Sequence, residues 1–391
     1  MTPNPYIDED LQALADTARR FADERVKPGF LERDKTRVLD RSLLREMGEL
    51  GFICPELPEQ FGGLGMGCLA AGVIHEQIAR ADLSFSYLNL LASLNSQILS
   101  KYGQPEIVTP WLKKLVQGEA ICAIALTEPR GGSDAANLRL RIERDGEFYV
   151  INGEKTSISF SEQADLIVAF ARTGKVADVA KGISAFVIPM NAPGVSRSRF
   201  NDVGTKIVGR GSVFFDNVKI PANYRMGEEN RAFFQIMNGF DYSRALIGLQ
   251  CLAAAQASLD ESWEYIKERQ AFGAPLAQYQ GVTFPLAEAD TLLTAARALC
   301  YRTLWLRDAG LPHTAEAAMC KWWVPKISYE VITQCLLTHG HYGYTTDLPL
   351  EGMYRAARAA RIYDGPDEVH KVTVARQVLK RYRPSEPSID H

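Results

Sequence analysis

The chain has 391 residues, 46% of them hydrophobic and 23% charged, with a formal net charge of −3. That is the balance of a globular protein with a sizeable core, and it argues against a nucleic-acid binder, which usually carries a basic face. No apolar run reaches the roughly 18 residues of a membrane span, and the opening MTPNPYIDED lacks the apolar stretch of a secretory signal. Residues 1–118 read as an N-terminal α-helical domain. Leu11, Leu14, Ala15, Ala18 and Phe21 recur at helical spacing, and Pro28 is expected to follow the end of that helix. Leu43, Leu44, Met47 and Leu50 form a second stripe, stopped by Gly51. Segments 69–81, 84–102 and 105–117 continue the pattern. The glycines of PELPEQFGGLGMG resemble a phosphate loop only superficially, because no strand precedes them and the G-x-G-x-x-G order is absent. That segment reads as a turn.

Residues 119–225 change character. Runs such as ICAIALT, FYVING, LIVAFAR, ISAFVIP and SVFFDNVKI are β-branched or aromatic, punctuated by Gly, Asp and Asn. A small antiparallel β-barrel or sandwich is expected, with EFYVINGEK leaving a hairpin turn at Asp145 and Gly146. Residues 226–391 return to helix. Long segments at 231–268, 283–308, 314–338 and 367–381 carry apolar residues at three and four spacing, the pattern of a four-helix bundle. Connections at 310–312 and 340–350 separate them, and PSEPSIDH at 384–391 reads as a mobile polar tail. The seven scattered cysteines form no C-x-x-C, so free, mostly buried thiols in a reducing cytoplasm are the simplest expectation. The six histidines show no metal-binding spacing, and His339 and His341 beside glycine read as a turn.

Chemistry concentrates at the joins. ALTEPRGGSD at 125–134 ends the first strand of the middle block. The Thr127 hydroxyl and nearby backbone N–H groups can donate to an electron-poor heterocycle, and Gly131, Gly132 and Ser133 let backbone approach a phosphate. A plain strand-to-turn exit is the competing reading. NGEKTSIS at 152–159 would place the Ser157 and Ser159 hydroxyls on one side of an extended strand. ERQAFG at 268–273 and Gln280 fall on or after a long helix, and RIYDGPDEVH at 361–370 joins two C-terminal helices.

In this order, across this three-block plan, these segments resemble the acyl-CoA dehydrogenase family over roughly residues 8–382. The resemblance implies FAD bound between the β-domain and the C-terminal bundle, a homotetramer built as a dimer of dimers, and an electron-transferring flavoprotein as electron acceptor. Ile124, Leu126 and Thr127 match a stretch that contacts the flavin. Gly132 lies in the adjoining turn, and Ser133 matches a serine near the FAD pyrophosphate and the substrate entrance. Ser159 matches the hydroxyl residue that bonds flavin N5. Ser157 stands where many members have a tryptophan over the flavin, and Ala271 where a hydroxyl often meets the pyrophosphate. Arg269 and Gln280, with Phe272 beside them, match positions that reach the FAD of a neighbouring subunit. Leu337 to His341, including Gly340, and Pro366 to Glu368 match two further FAD contacts. Asp241 and Arg244 match a substrate-contacting turn.

The family removes an α-proton with a carboxylate while a hydride leaves the β-carbon, commonly through a glutamate in a Tyr-Glu-Gly sequence. Here Tyr363, Asp364 and Gly365 occupy those places, so Asp364 is the expected base. Its backbone N–H, with a flavin ribityl hydroxyl, is expected to hold the thioester oxygen. The competing reading makes Asp364 a helix N-cap, a role that Asp367 could also fill. Some branches carry the base on the first helix of the last block. The matching position is Ser243, which cannot serve as one. Aspartate is one methylene shorter than glutamate and leaves more room, which implies a bulky or ring-bearing acyl group. With ISFSEQAD and the 80–99 segment, it resembles the branch that converts cyclohexane-carboxyl-CoA to a cyclohexene-carboxyl-CoA. DGPDEVH also resembles a branch acting on long or branched acyl-CoAs, and nitroalkane oxidase-like flavoproteins share the fold and an aspartate base.

Overall fold

The computed structural model describes residues 4–382, apart from the side chains at 236–238. The polar tail at 384–391 lies outside the described residues. Six helices come first: α1 (Glu9–Phe21), α2 (Phe30–Thr36), α3 (Arg41–Glu49), α4 (Gly67–Ala81), α5 (Leu83–Tyr102) and α6 (Pro105–Val116). Local chemistry sets their starts. The Asp8 carboxylate accepts from Leu11 N at 2.9 Å, Asp40 from Ser42 N at 2.8 Å and Asp82 from Phe85 N at 3.0 Å, each satisfying a backbone donor that a helix start leaves open. Pro28 follows the end of α1 at Phe21, as expected, although it does not end helical backbone. The chain stays helical through a π-turn at Ala22–Val26 and a 3-10 turn at Lys27–Gly29, because proline sits where its missing N–H is harmless. The 54–66 segment is an irregular loop with one short 3-10 turn, as expected from its glycines.

The middle block forms one sheet of β1 (Cys122–Ala125), β2 (Arg141–Asp145), β3 (Phe148–Ile158), β4 (Leu166–Arg172), β5 (Ile183–Pro189), β6 (Val195–Arg197), β7 (Gly211–Pro221) and β8 (Arg225–Met226). Strand order is β6-β7-β3-β2-β4-β5-β8, with β1 beside β4. Pairing is antiparallel except for β1 and β2, which each run parallel to β4. Every residue of β4 is buried, as expected for a strand covered on both faces. The hairpin between β2 and β3 turns at Asp145 and Gly146, with Asp145 opposite Phe148.

The last block holds α7 (Ala232–Glu268), a tiny hairpin of β9 (Gln270–Ala271) and β10 (Ala274–Pro275), then α8 (Gln280–Asp308), α9 (Thr314–Thr338), α10 (Leu350–Ala359) and α11 (Asp367–Lys380). Helices α7, α8 and α9 pack on one another, while α10 and α11 pack on α9. The stretch after 340 is not only a connection, since α10 occupies its second half and buries Leu350, Met353, Ala356 and Ala357. All seven cysteines are free and buried. Among the described residues no helix is long and apolar enough to cross a membrane.

Candidate active site

The site is built on the bend between α10 and α11. Asp364 and Gly365 both adopt left-handed backbone, with φ of 52° and 88°. Aspartate tolerates that region better than most residues, but at a cost of about 1 kcal/mol or more, so neighbours must hold it there. Asp364 is not a helix cap. The N-cap of α11 is Pro366, and the Asp367 carboxylate pairs with the Arg361 guanidinium.

The half-buried Asp364 carboxyl meets α7. Ser243 Oγ lies 3.1 Å from Asp364 Oδ2 and 3.1 Å from the Phe240 carbonyl oxygen. A hydroxyl has one proton. When Asp364 is ionised, Ser243 donates to it. When Asp364 is protonated, it can donate to Ser243 Oγ while Ser243 turns to Phe240. Burial raises the Asp364 carboxyl above the ordinary carboxylate range, against the opposing charges of Arg244 and Lys321 and the Ser243 hydrogen bond. A carboxyl in that state can take up a proton nearer neutral pH, which is what a general base requires.

Around it, Arg244 Nη1 pairs with Asp241 Oδ1 at 2.6 Å, and Thr314 Oγ1 donates to Asp241 Oδ2 at 2.7 Å. Arg244 Nε is buried without a protein partner. The Tyr363 ring meets Tyr87 of α5 edge-on at 5.5 Å, and its hydroxyl lies 3.4 Å from Gln250 Oε1. Gln250 in turn donates to Leu83 O at 3.0 Å and Ser86 Oγ at 2.8 Å. At its other face α5 reaches the sheet, where Asn95 Nδ2 donates to Cys122 O at 2.8 Å. Helix α5 therefore joins the Asp364 bend to β1.

At the end of β1, Ile124 and Leu126 are half-buried while Ala125 between them is buried, so one apolar strand face is left partly open. Lys155 Nζ donates to Leu126 O at 3.0 Å and pairs with Glu128 Oε1 at 2.7 Å, and Thr156 N donates to Thr127 O at 3.0 Å. The Glu128 carboxylate also accepts from Arg139 N and Leu140 N at 2.7 and 2.8 Å. This segment is held rigidly from behind. The Thr127, Ser133 and Ser159 hydroxyls make no hydrogen bond among the described residues. Gly131 has no heavy atom within 4 Å of where a Cβ would sit. A half-open apolar strand, unengaged hydroxyls and an open glycine turn suit a planar heterocycle carrying phosphates.

One expectation fails here. Ser157 and Ser159 do not share one side of an extended strand. Ser157 has φ of 58°, the β3–β7 register shifts between Lys155 and Ile158, and β3 ends before Ser159. A bulge breaks the alternation that the sequence pattern assumed, leaving Ser157 exposed and Ser159 half-buried.

A second group gathers at the far end of the bundle. Arg269 follows α7, Phe272 is 97% exposed at the tip of the β9–β10 hairpin, and Gln280 opens α8. Leu337, Gly340 and His341 lie exposed at the end of α9. Tyr265 stacks on His339 at 4.3 Å and so ties the ends of α7 and α9 together. Among the described residues no hydrogen bond or ion pair joins this group to Asp364. Ser243 and Arg269 bracket about 26 residues of α7, roughly 39 Å of helix at 1.5 Å per residue. Pro366 and Glu368, by contrast, lie at the start of α11 beside Asp364.

Lys321, His370, Tyr87 and Gln250 escape the sequence reading. Lys321 carries the one available signal, since it is a charge within a stripe of Ala317, Ala318, Cys320 and Val324 that is otherwise buried and apolar or nearly so.

The acyl-CoA dehydrogenase N-terminal, middle and C-terminal domain families match residues 8–119, 123–218 and 230–379. The mitochondrial short-chain specific acyl-CoA dehydrogenase of Rattus norvegicus is 33% identical over 382 residues, 96% of this chain and 92% of the relative. Cyclohexane-1-carbonyl-CoA dehydrogenase of Geobacter metallireducens is 32% identical, over 95% of this chain and 98% of the relative. The solved butyryl-CoA dehydrogenase of Megasphaera elsdenii superposes with a TM-score of 0.92 at 28% identity, covering 97% of this chain and 100% of that one.

Proposed function

Since the chain belongs to the acyl-CoA dehydrogenase family, whose members are FAD-dependent oxidoreductases, we propose that Asp364 takes the α-proton of an acyl-CoA thioester. The observation that carries this is its carboxyl, raised by burial and seated against Ser243 on a bend with two left-handed residues. The left-handed backbone presents the Asp364 N–H at the same bend as its carboxyl. That N–H polarises the thioester oxygen as charge develops on it. Arg244, with its unpartnered Nε, and Asp241 face the substrate, and Tyr363 forms a wall beside it.

FAD, when bound, accepts the hydride that leaves the β-carbon. Ile124, Leu126, Thr127 and Ser159 would hold its ring, and Gly132 and Ser133 its phosphates. Pro366 and Glu368 add contacts beside the base. Arg269, Phe272, Gln280, Leu337, Gly340 and His341 serve the FAD of a neighbouring copy, because α7 carries Arg269 too far from its own Ser243. That supports pairing of copies, family membership supports a dimer of dimers, and the three family matches support blocks 1–118, 119–225 and 226–391 as its domains. Family membership supports an electron-transferring flavoprotein as acceptor, and seven free thiols support a cytoplasmic location.

For the acyl group, we favour cyclohexane-1-carboxyl-CoA, oxidised to cyclohex-1-ene-1-carboxyl-CoA. The shortened base supports a bulkier substrate, and so does the named activity of the Geobacter metallireducens relative. The test of the base is Asp364→Asn. This variant should keep its FAD and lose about 100-fold or more in anaerobic flavin bleaching by substrate. Near-normal bleaching would overturn the assignment.

A further inference from the structure

The Asp364 bend is held by a residue that has no other evident work. Lys321 of α9 is fully buried, with 0% exposure. Its Nζ donates to Ala360 O at 2.7 Å and to Gly365 O at 3.0 Å. Those two carbonyls flank the segment that carries Tyr363 and Asp364. The same ammonium lies 5.5 Å from the centre of the Tyr363 ring. Among the described residues it forms no ion pair within 4 Å. A buried cation is costly unless its donors are engaged, and here the engagement is with main-chain oxygens at the two ends of one bend.

A second tie comes from α11. His370 Nε2 lies 2.8 Å from the Asp364 carbonyl oxygen, and since a carbonyl only accepts, Nε2 carries the hydrogen. Burial and the charges of Arg244 and Lys321 lower the His370 pKa to about 4, so the ring stays neutral and keeps that tautomer.

We propose that Lys321 is a positioning residue for the reaction, clamping the Ala360–Gly365 bend, with His370 as the second tie, so that Asp364 stays aimed at the substrate and ionised. The inference rests on Asp364 being the base. Four groups face the Asp364 carboxyl: Arg244 and Asp241 from α7, Lys321 from α9 and the Ser243 hydroxyl. Lys321 itself is faced by Asp364, Asp367, Cys251 and Arg244. Removing Lys321 therefore takes away one of two cations that keep Asp364 ionised, and both of its own hydrogen bonds to the bend, leaving only the His370 tie.

The experiment uses the FAD-loaded enzyme and Lys321→Met, with amide hydrogen exchange of the 360–366 peptide read beside the pH dependence of substrate-driven flavin bleaching. The clamp predicts about tenfold faster local exchange, with exchange elsewhere unchanged. It also predicts that the acid limb of the bleaching profile moves to higher pH. Unchanged exchange overturns the clamp, whatever the rate does. Faster exchange with an unmoved pH profile overturns the link to the base. If Lys321→Met does not fold, Lys321→Gln, which keeps a donor but no charge, takes its place: an acid limb that does not move up overturns the link to the base, and exchange equal to wild type in a variant that keeps only one of the two hydrogen bonds overturns the clamp. Asp364→Asn separates this from the premise: if it bleaches normally, the base assignment fails, while the exchange result still judges the clamp.

Discussion

Ser243→Ala isolates the side-chain hydrogen bond made to the carboxyl of the proposed base. The Ser243 hydroxyl stands 3.1 Å from Asp364 Oδ2 and is among the groups that hold the Asp364 pKa down against burial. A hydrogen bond to an ionised group contributes about 1.5–3 kcal/mol, and its neutral counterpart about 0.5–1.5 kcal/mol. Because the protonated acid can bond the same oxygen, the net preference for the ionised form is roughly 1–1.5 kcal/mol. At 1.36 kcal/mol per unit, that is about one pH unit. Asp364 works only when ionised, and its pKa already lies above the usual range. Losing Ser243 raises it further, so the acid limb of activity moves up by about one unit. Well below that limb the rate falls about tenfold, and on the plateau it is unchanged. Anaerobic stopped-flow bleaching across pH reads this directly. An acid limb that stays put or moves to lower pH would refute the reasoning, as would an equal loss at every pH.

Gly365→Ala forces a side chain into φ of 88° and puts its Cβ 2.8 Å from His370 Nε2. It should lower turnover at least tenfold while circular dichroism stays native, and wild-type kinetics would argue that the bend is not strained. Lys155→Met takes away the ion-pair partner of Glu128 behind the strand proposed to face the flavin and leaves its carboxylate to the N–H groups of Arg139 and Leu140. Breaking such a pair costs about 3–5 kcal/mol, and a denaturant midpoint equal to wild type would show the pair to be dispensable. Among CoA thioesters, cyclohexane-carboxyl-CoA should bleach the flavin faster than octanoyl- or palmitoyl-CoA. Strong bleaching by straight chains alone would remove the cyclic substrate.

Legibility followed the range of the forces involved. Helices α4, α5 and α6 were readable because each repeats apolar residues along its own segment, and the β2–β3 hairpin because Asp145 and Gly146 form a local turn. Helix α10 was not singled out, since it is only ten residues long and, beside Leu350 and Met353, its buried face is made of Ala356, Ala357 and a glycine. The parallel pairing of β1 with β4 joins strands more than forty residues apart, and nothing in either marks the direction. The bulge at Ser157 is a backbone event that alternation cannot anticipate. In the site, Asp364 stood out through its neighbours in sequence. Lys321 did not, because its partners are carbonyls 39 and 44 positions away.

Helix α7, with its 37 residues, acts as a ruler. It carries Ser243, the partner of Asp364, on one turn and presents Arg269 at its far end. A helix advances 100° per residue, so losing a single residue between them would swing one group a quarter-turn or more from the other. Length changes along this rod are tolerable only in steps close to whole turns. On the proposed reading, the spacing between a copy's own chemistry and the contacts it offers a neighbouring copy is thus built into the backbone and does not depend on surface side chains.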